Sequence, residues 1–243
     1  MRTLPAAELL EIWERGVQGD PLSRMLDLLA AAFPETGRDE LAHEPIGARD
    51  ARLLSLREAL FGPAIMSMAR CPECGERLDL KFMVDDVRVP PSVGRDGPLR
   101  LRIGSYGIVF RLPDTMDLAT CAGMDIEEAR ARLLQRCLYE GRCDDEPISA
   151  SEIPGEVAGH IIAAMAAADP QADLQIALIC PACGHRWSII FDIVSFLWSE
   201  IDAWAMRLLH DVHVLAHAYG WSEAAILLLS PQRRQIYLTM ATG

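Results

Sequence analysis

The sequence predicts an α+β chain, mainly helical, in which a split four-cysteine zinc ribbon is interrupted by a small α/β insert. Three observations carry that expectation. The word Cys-Pro-x-Cys-Gly occurs twice, as CPECG at 71–75 and CPACG at 180–184. Segments beside each copy alternate apolar and polar residues, the period of a half-buried strand. Long stretches elsewhere repeat apolar residues every three to four positions, the period of a helix packed by one face. The 243 residues are 51% hydrophobic and 24% charged, ordinary for a chain that buries its own core without staples.

In chain order, residues 1–63 read as an N-terminal helical region. Leu9, Leu10, Trp13 and Val17 share one helix face, and Leu22, Met25, Leu26 and Leu29 share the next. Pro34 and Gly37 break that second helix. Leu53, Leu54, Leu56 and Leu60 point one way along a third, which Gly62 and Pro63 stop. Residues 64–89 and 172–194 are the two halves of the ribbon. In the first, Leu78, Leu80 and Phe82 alternate with Arg77, Asp79 and Lys81; in the second, Leu174, Ile176 and Leu178 lead into the cysteines and HRWSIIFDI leads out.

Residues 90–171 form the insert. Leu99, Leu101 and Ile103 alternate with Arg100 and Arg102 before Gly104–Gly107 turn the chain back, a hairpin. Asp125, with Glu128 three residues on, caps a helix expected to run to Gly141. CDDEPISASEIPG is a loop, and EVAGHIIAAMAAAD is a helix ended by Pro170. Residues 195–243 are the C-terminal helical region. Leu197, Ile201, Trp204, Leu208, Val212, Leu215 and Tyr219 form one stripe to the stop at Gly220. Ser222 and Ser230 each cap a further short helix, with Pro231 at a first helical position.

The cysteine words have a physical logic. Two thiolates two residues apart bind one ion if the chain between them turns tightly. Proline fixes φ in that turn. The following glycine permits the positive φ that lets backbone N–H groups face sulfur. Two such turns supply four thiolates, a closed tetrahedral shell. Cys71, Cys74, Cys180 and Cys183 are therefore expected to hold one structural zinc, with no open position for metal-assisted hydrolysis. Two unrelated pairs of buried cysteines are the alternative, and it is disfavoured because the same Pro and Gly decoration, each time beside an alternating strand, is hard to obtain twice by accident. A thioredoxin-like dithiol opens a helix, whereas a strand follows each pair here. Rubredoxin-like iron uses similar knuckles, and spacing alone leaves it open. The long interval between the pairs is tolerable. Closure entropy grows only logarithmically with length, and metal binding by zinc-finger peptides is worth about 10–16 kcal/mol.

Other features carry less chemistry. His210, His213 and His217 recur on one helix face, away from the apolar stripe, and read as a solvated or partner-facing surface before a second metal site. His185 follows the second knuckle, where four cysteines already complete a shell. Cys121 and Cys137 fall in helices as small core residues. Cys143 stands beside two aspartates and a glutamate, a poor setting for a thiolate nucleophile. Asp85–Asp86 and Asp144–Asp145 read as solvated acids, and Arg233 and Arg234 as a solvated helix face or a contact for an acidic partner. No nucleophile elbow, phosphate-binding glycine loop or His-Glu-x-x-His motif is present, so an enzyme is not expected.

The net charge of −12 and pI near 4.9 argue against nucleic acid and against an anionic membrane surface. They leave protein partners and small molecules. The N-terminal stretch has charges inside its apolar run and reads as an amphipathic helix, not a secretory signal; no apolar run of about 18 residues predicts a membrane span. Seven cysteines, four of them in two C-x-x-C pairs, then suit a metal site in a cytoplasmic chain better than disulfides.

The stretch from CPACG at 180 to Leu238 resembles T-even-type phage baseplate proteins, the baseplate hub assembly chaperones of contractile tails and contractile injection systems. HVLAHAYGWSEAAILLLSPQRRQIYL is its most specific part, and LLEIWERG, LLAAAFPE and ARLLSLREALFG running into CPECG are similar to the same group. The resemblance implies a non-enzymatic baseplate component or assembly factor, with baseplate, hub or spike proteins as partners, placed in the cytoplasm or in an assembled tail particle. The four cysteines carry over as metal ligands, and no catalytic residue is implied. A cytosolic zinc-ribbon adaptor acting by protein–protein interaction is the alternative, followed by an iron electron carrier.

Overall fold

The computed structural model describes residues 1–90 and 97–242; residues 91–96 at the start of the expected insert lie outside it. In chain order the elements are α1 (Ala6–Val17), α2 (Pro21–Ala32), α3 (Arg38–His43), α4 (Ile46–Phe61), β1 (Ala64–Arg70), β2 (Arg77–Met83), α5 (Val84–Val87), β3 (Leu99–Ile103), β4 (Tyr106–Phe110), α6 (Thr115–Thr120), α7 (Ile126–Cys137), β5 (Leu138–Cys143), β6 (Glu146–Pro147), α8 (Gly155–Ala168), β7 (Gln175–Ile179), β8 (Arg186–Ile190), α9 (Ile193–Tyr219), α10 (Glu223–Leu227) and α11 (Pro231–Thr242). The fold is α+β with helix predominant, as the sequence implies. The chain divides into two compact units, Met1–Thr36 with Ile193–Gly243, and Gly37–Asp192. That division differs from the expected one at residue 63: α1 and α2 group with the C-terminal helices, while α3 and α4 group with the cysteine hairpins.

In the first unit, α9 buries Ile193, Leu197, Ile201, Ala205, Leu208, Val212 and Leu215 along one stripe. Trp204 sits at the stripe's edge, and Tyr219 stacks on Trp221 at an exposed end. Leu10 of α1 packs with Ala205 and Leu208; further along, Val212 and Leu215 pack with Ile226 and Leu238. Gly16 is needed where α1 meets Trp198, because a Cβ there would lie 2.3 Å from the indole ring. The Arg24 guanidinium lies 4.8 Å above the centre of the same ring. Gly220, at φ +68°, ends α9. Ser222 and Ser230 accept hydrogen bonds from the N–H groups of Ala225 and Arg233, capping α10 and α11. Arg233 is exposed, but Arg234 is buried with its guanidinium 3.7 Å from Asp211, so it belongs to the packing of α11 on α9 and not to a solvated face.

In the second unit, β1 pairs with β2 and β7 with β8 as two antiparallel hairpins, and the insert builds a sheet of order β3-β4-β5-β6. Gly104 at φ +56° opens the two-residue turn from β3 to β4. Asp144 and Asp145, both at positive φ, form the turn from β5 to β6. Ile108, Phe110, Leu134, Ile153, Val157 and Ile161 make the insert's core, between the inner face of the sheet and α7 and α8.

Two expectations are corrected here. The helix expected to reach Gly141 stops at Cys137, and residues 138–143 pair with β4 instead. Backbone pairing along β4 outweighs the local helix preference, and a bulge at Val109/Phe110 absorbs the change of register. Gly141 suits that strand because a Cβ would lie 2.9 Å from the Ile148 carbonyl oxygen. The segment read as a loop from Cys143 contains the β5–β6 turn. No helix among the described residues is long and apolar enough to cross a membrane.

Candidate metal centre

The two cysteine words fold alike. Arg70 opposite Arg77 closes one hairpin around residues 71–76, and Ile179 opposite Arg186 closes the other around residues 180–185. In the first turn the Gly75 N–H donates to the Cys71 carbonyl and the Cys71 N–H to the Glu76 carbonyl, both at 2.9 Å. In the second, Gly184 N–H to Cys180 and Cys180 N–H to His185 repeat the pattern at the same 2.9 Å. Gly75 and Gly184 have φ of +76° and +73°. Nothing lies within 4 Å of a Cβ added at either, so dihedral freedom, not space, calls for glycine. That conformation turns the Glu76 N–H toward the Cys74 sulfur and the His185 N–H toward the Cys183 sulfur.

Two ties outside the turns bring the hairpins together. The Phe82 and Phe191 rings meet edge to face at 5.5 Å. Gln171 is buried; its Oε1 accepts from the Val89 N–H at 2.6 Å and its Nε2 donates to the Val87 carbonyl at 3.3 Å. The chain leaving the first hairpin is thus clipped to the chain entering the second, which shortens the effective loop between the knuckles.

The four sulfurs converge. The Sγ atoms of Cys71, Cys74, Cys180 and Cys183 all lie within 4.8 Å of one another. The near pairs run between knuckles: Cys71 to Cys183 at 3.7 Å and Cys74 to Cys180 at 3.5 Å. A zinc–sulfur bond of about 2.3 Å in a tetrahedral shell places sulfurs about 3.8 Å apart. A disulfide needs about 2.05 Å, and all four cysteines are free thiols. The donor set therefore fits a thiolate-binding cation. Cys71 and Cys180 are buried, and Cys74 and Cys183 face solvent, so the cluster sits at the surface with one sulfur of each pair inside.

The electrostatics agree. Burial opposes ionisation of Cys180, but N–H groups of Cys183 and Ala182 outweigh it and pull its thiol down to about 7. At Cys74 the Glu76 N–H favours the thiolate, yet the neighbouring thiols and burial together push it up to about 12. The thiolate forms readily at Cys180 and is resisted at Cys74 and Cys183, where neighbouring thiols disfavour further ionisation unless a cation offsets the charge.

The other candidates are dispersed. His185 stacks on Trp187 with ring centres 5.9 Å apart and stands outside the sulfur group. His210, His213 and His217 are exposed on α9; two of the rings stack at 6.5 Å, and among the described residues the three are not gathered for a metal. Cys121 is half-buried where α6 ends, and Cys143 lies 3.6 Å from the Ser105 hydroxyl at the end of β5. Cys137 is buried, and burial, with Asp117 beside it, pushes its thiol up to about 12.

Sequence reasoning missed the ionic hub of the second unit. Asp117 is fully buried and accepts from Arg111 at 2.5 and 2.9 Å, from Arg136 at 2.6 Å and from the Asp114 N–H at 3.0 Å. Burial opposes its charge, but these donors outweigh burial and hold the carboxyl well below the usual range. Asp114 caps α6 and reaches His43 Nδ1 at 3.0 Å. A second cluster surrounds Arg49: its partner Asp50 is raised to about 6 by burial, and nearby Asp169 accepts from the Gly47 N–H at 2.8 Å. The signal for the first was DTMD at 114–117, a reciprocal N-terminal cap.

A family model described as T4 bacteriophage base plate protein matches residues 8–198. The chain belongs to that family. The match takes in both knuckles and the whole insert of this baseplate-family chain. It ends before HVLAHAYGWSEAAILLLSPQRRQIYL, so the most specific part of the resemblance lies beyond the matched residues. The curated proteins and the solved structures compared with the chain include no match to it.

Proposed function

We propose that the chain is a non-enzymatic component or assembly factor of a contractile-tail baseplate, with Cys71, Cys74, Cys180 and Cys183 as the ligands of one structural zinc. Membership of the baseplate family over residues 8–198 carries the first part of this reading. The four converging sulfurs support the second. A zinc ion held by four thiolates supplies cross-linking and leaves no position for substrate. The residues around it do the corresponding work: Gly75 and Gly184 aim N–H groups at sulfur, and Gln171 and the Phe82–Phe191 contact hold the hairpins in register. Its partners on this reading are baseplate, hub or spike proteins, and its place is the cytoplasm or the assembled particle.

Purification with the native operon tests both parts. About one zinc per chain and co-purifying tail proteins are expected. Iron in place of zinc would contradict the metal assignment, and a pull-down free of tail proteins would favour a general adaptor. The chain's presence in mature particles would make it a permanent component, and its absence there an assembly factor.

A further inference from the structure

The insert sheet ends on β3, and among the described residues no strand pairs with its outer side. The Leu99, Leu101 and Ile103 side chains pack on the insert core, so Arg100 and Arg102 occupy the open face, both exposed. In a hairpin closed by a two-residue turn, the flanking pair is hydrogen-bonded and the pairs alternate from there. Ile103 opposite Tyr106 flanks the turn. Leu99, Leu101 and Ile103 thus direct their N–H and C=O groups to β4, while those of Arg100 and Arg102 face the free edge. Backbone pairing groups and guanidinium side chains therefore belong to the same two residues.

The charge pattern says what fits there. Neither Arg100 nor Arg102 has an ion-pair or hydrogen-bond partner among the described residues. Across the same face Arg102 stands opposite Gly107, and Gly107 opposite Arg142, whose guanidinium donates to the Asp145 carbonyl at 3.3 Å. Nothing lies within 4 Å of a Cβ added at Gly107, so the floor between the two arginines is open. Glu140 is the single acid at a β3–β5 position of this face. In a chain of net charge −12, this patch reverses the prevailing sign. Charges on an edge ordinarily deter pairing with another chain. Unpaired arginines deter basic and apolar strands and admit an acidic one.

We propose that β3 is a docking edge for an extended acidic segment of a partner protein. The segment adds as a fifth strand and sets alternate Asp or Glu side chains against Arg100 and Arg102. Main-chain hydrogen bonds supply the attachment, and the two-residue period of the acids supplies the register. This rests on the reading that the chain works through protein partners, but it is independent of the metal.

The test titrates labelled peptides into the full-length chain and follows fluorescence anisotropy. The probe is an eight-residue peptide alternating Glu with Thr or Val. It should bind, and binding should weaken as salt shortens the screening length. Arg100→Glu with Arg102→Glu should weaken it about tenfold or more, while Arg130→Glu with Arg132→Glu on α7 should leave it unchanged. The same peptide N-methylated at alternate residues should not bind. That arm uses the unaltered protein, so it stands even if an arginine variant misfolds. No binding at millimolar peptide, equal binding of the N-methylated peptide, or equal binding of a peptide with its acids in one block would each overturn the proposal. Zinc content of the same samples reports the metal reading separately.

Discussion

Replacing Asp117 by alanine should destabilise the second compact unit by about 3–4 kcal/mol. Asp117 is fully buried and satisfies three guanidinium bonds and one backbone N–H. Removing one partner of a fully buried ion pair costs about 3–5 kcal/mol, because the other charge is stranded. The Arg111 and Arg136 side chains are 26% and 37% exposed, so water recovers part of their solvation and the low end of that range applies. The unsatisfied N–H at the start of α6 adds about 1 kcal/mol. With a urea dependence of about 2 kcal/mol per molar, the midpoint should fall by about 1.5–2 M. Far-UV circular dichroism during urea unfolding reads this, with Trp187 fluorescence as the reporter inside the unit. The pH dependence gives a second check. The folded carboxyl is held below its unfolded value, so its stabilisation is present above about pH 4 and is lost as pH falls through the folded value. The gap between wild type and variant should therefore close in acid. A midpoint shift under about 0.5 M at pH 7, or a gap that persists in acid, would refute the reasoning.

Further perturbations probe other contacts. Gly47→Ala should cost about 1–3 kcal/mol in urea unfolding, because its Cβ would lie 1.8 Å from Asp169 Oδ1 and displace the acceptor of the Gly47 N–H. The Asp50 carboxyl is raised to about 6 by burial, with Arg49 opposing and Asp192 and Asp169 reinforcing. The native state thus holds the extra proton between about pH 4 and that value, and stability should fall as pH rises through the window. Asp50→Asn should flatten this slope, and an unchanged slope would place the proton elsewhere. Gly75→Ala and Gly184→Ala should each cost about 1 kcal/mol and weaken metal retention in a chelator competition, since both positions need positive φ.

The hairpins and the long helix were legible because their signals are local. Pro and Gly punctuate each cysteine pair, the alternation from Arg77 to Met83 marks β2, and the apolar stripe of α9 runs its full length. Ser222, Ser230 and Asp125 announced their caps for the same reason. What was missed depends on distant partners. Leu138–Cys143 continues a helical pattern in sequence and becomes a strand only because β4 offers an edge. The helix α3 is six residues long, too short to show a period. Asp117 carries no local sign of its ion pairs, which come from Arg111, just beyond the end of β4, and from Arg136 on α7. Arg234 looked solvated because its partner Asp211 lies on a different helix. The gathering of the four cysteines was readable from the two matching words, whereas the Gln171 clip that helps hold them together had no sequence signature.

The central claim is that residues 71–74 and 180–183 share one zinc. Native mass spectrometry of the intact chain, beside Cys71→Ser and Cys180→Ser variants, tests it most directly. One zinc per chain is predicted for the wild type, with occupancy below about half in either variant and no additive further loss when both are combined, because three thiolates no longer close the shell. Two ions per chain, or a variant in one knuckle that keeps full occupancy through the other, would contradict the shared site.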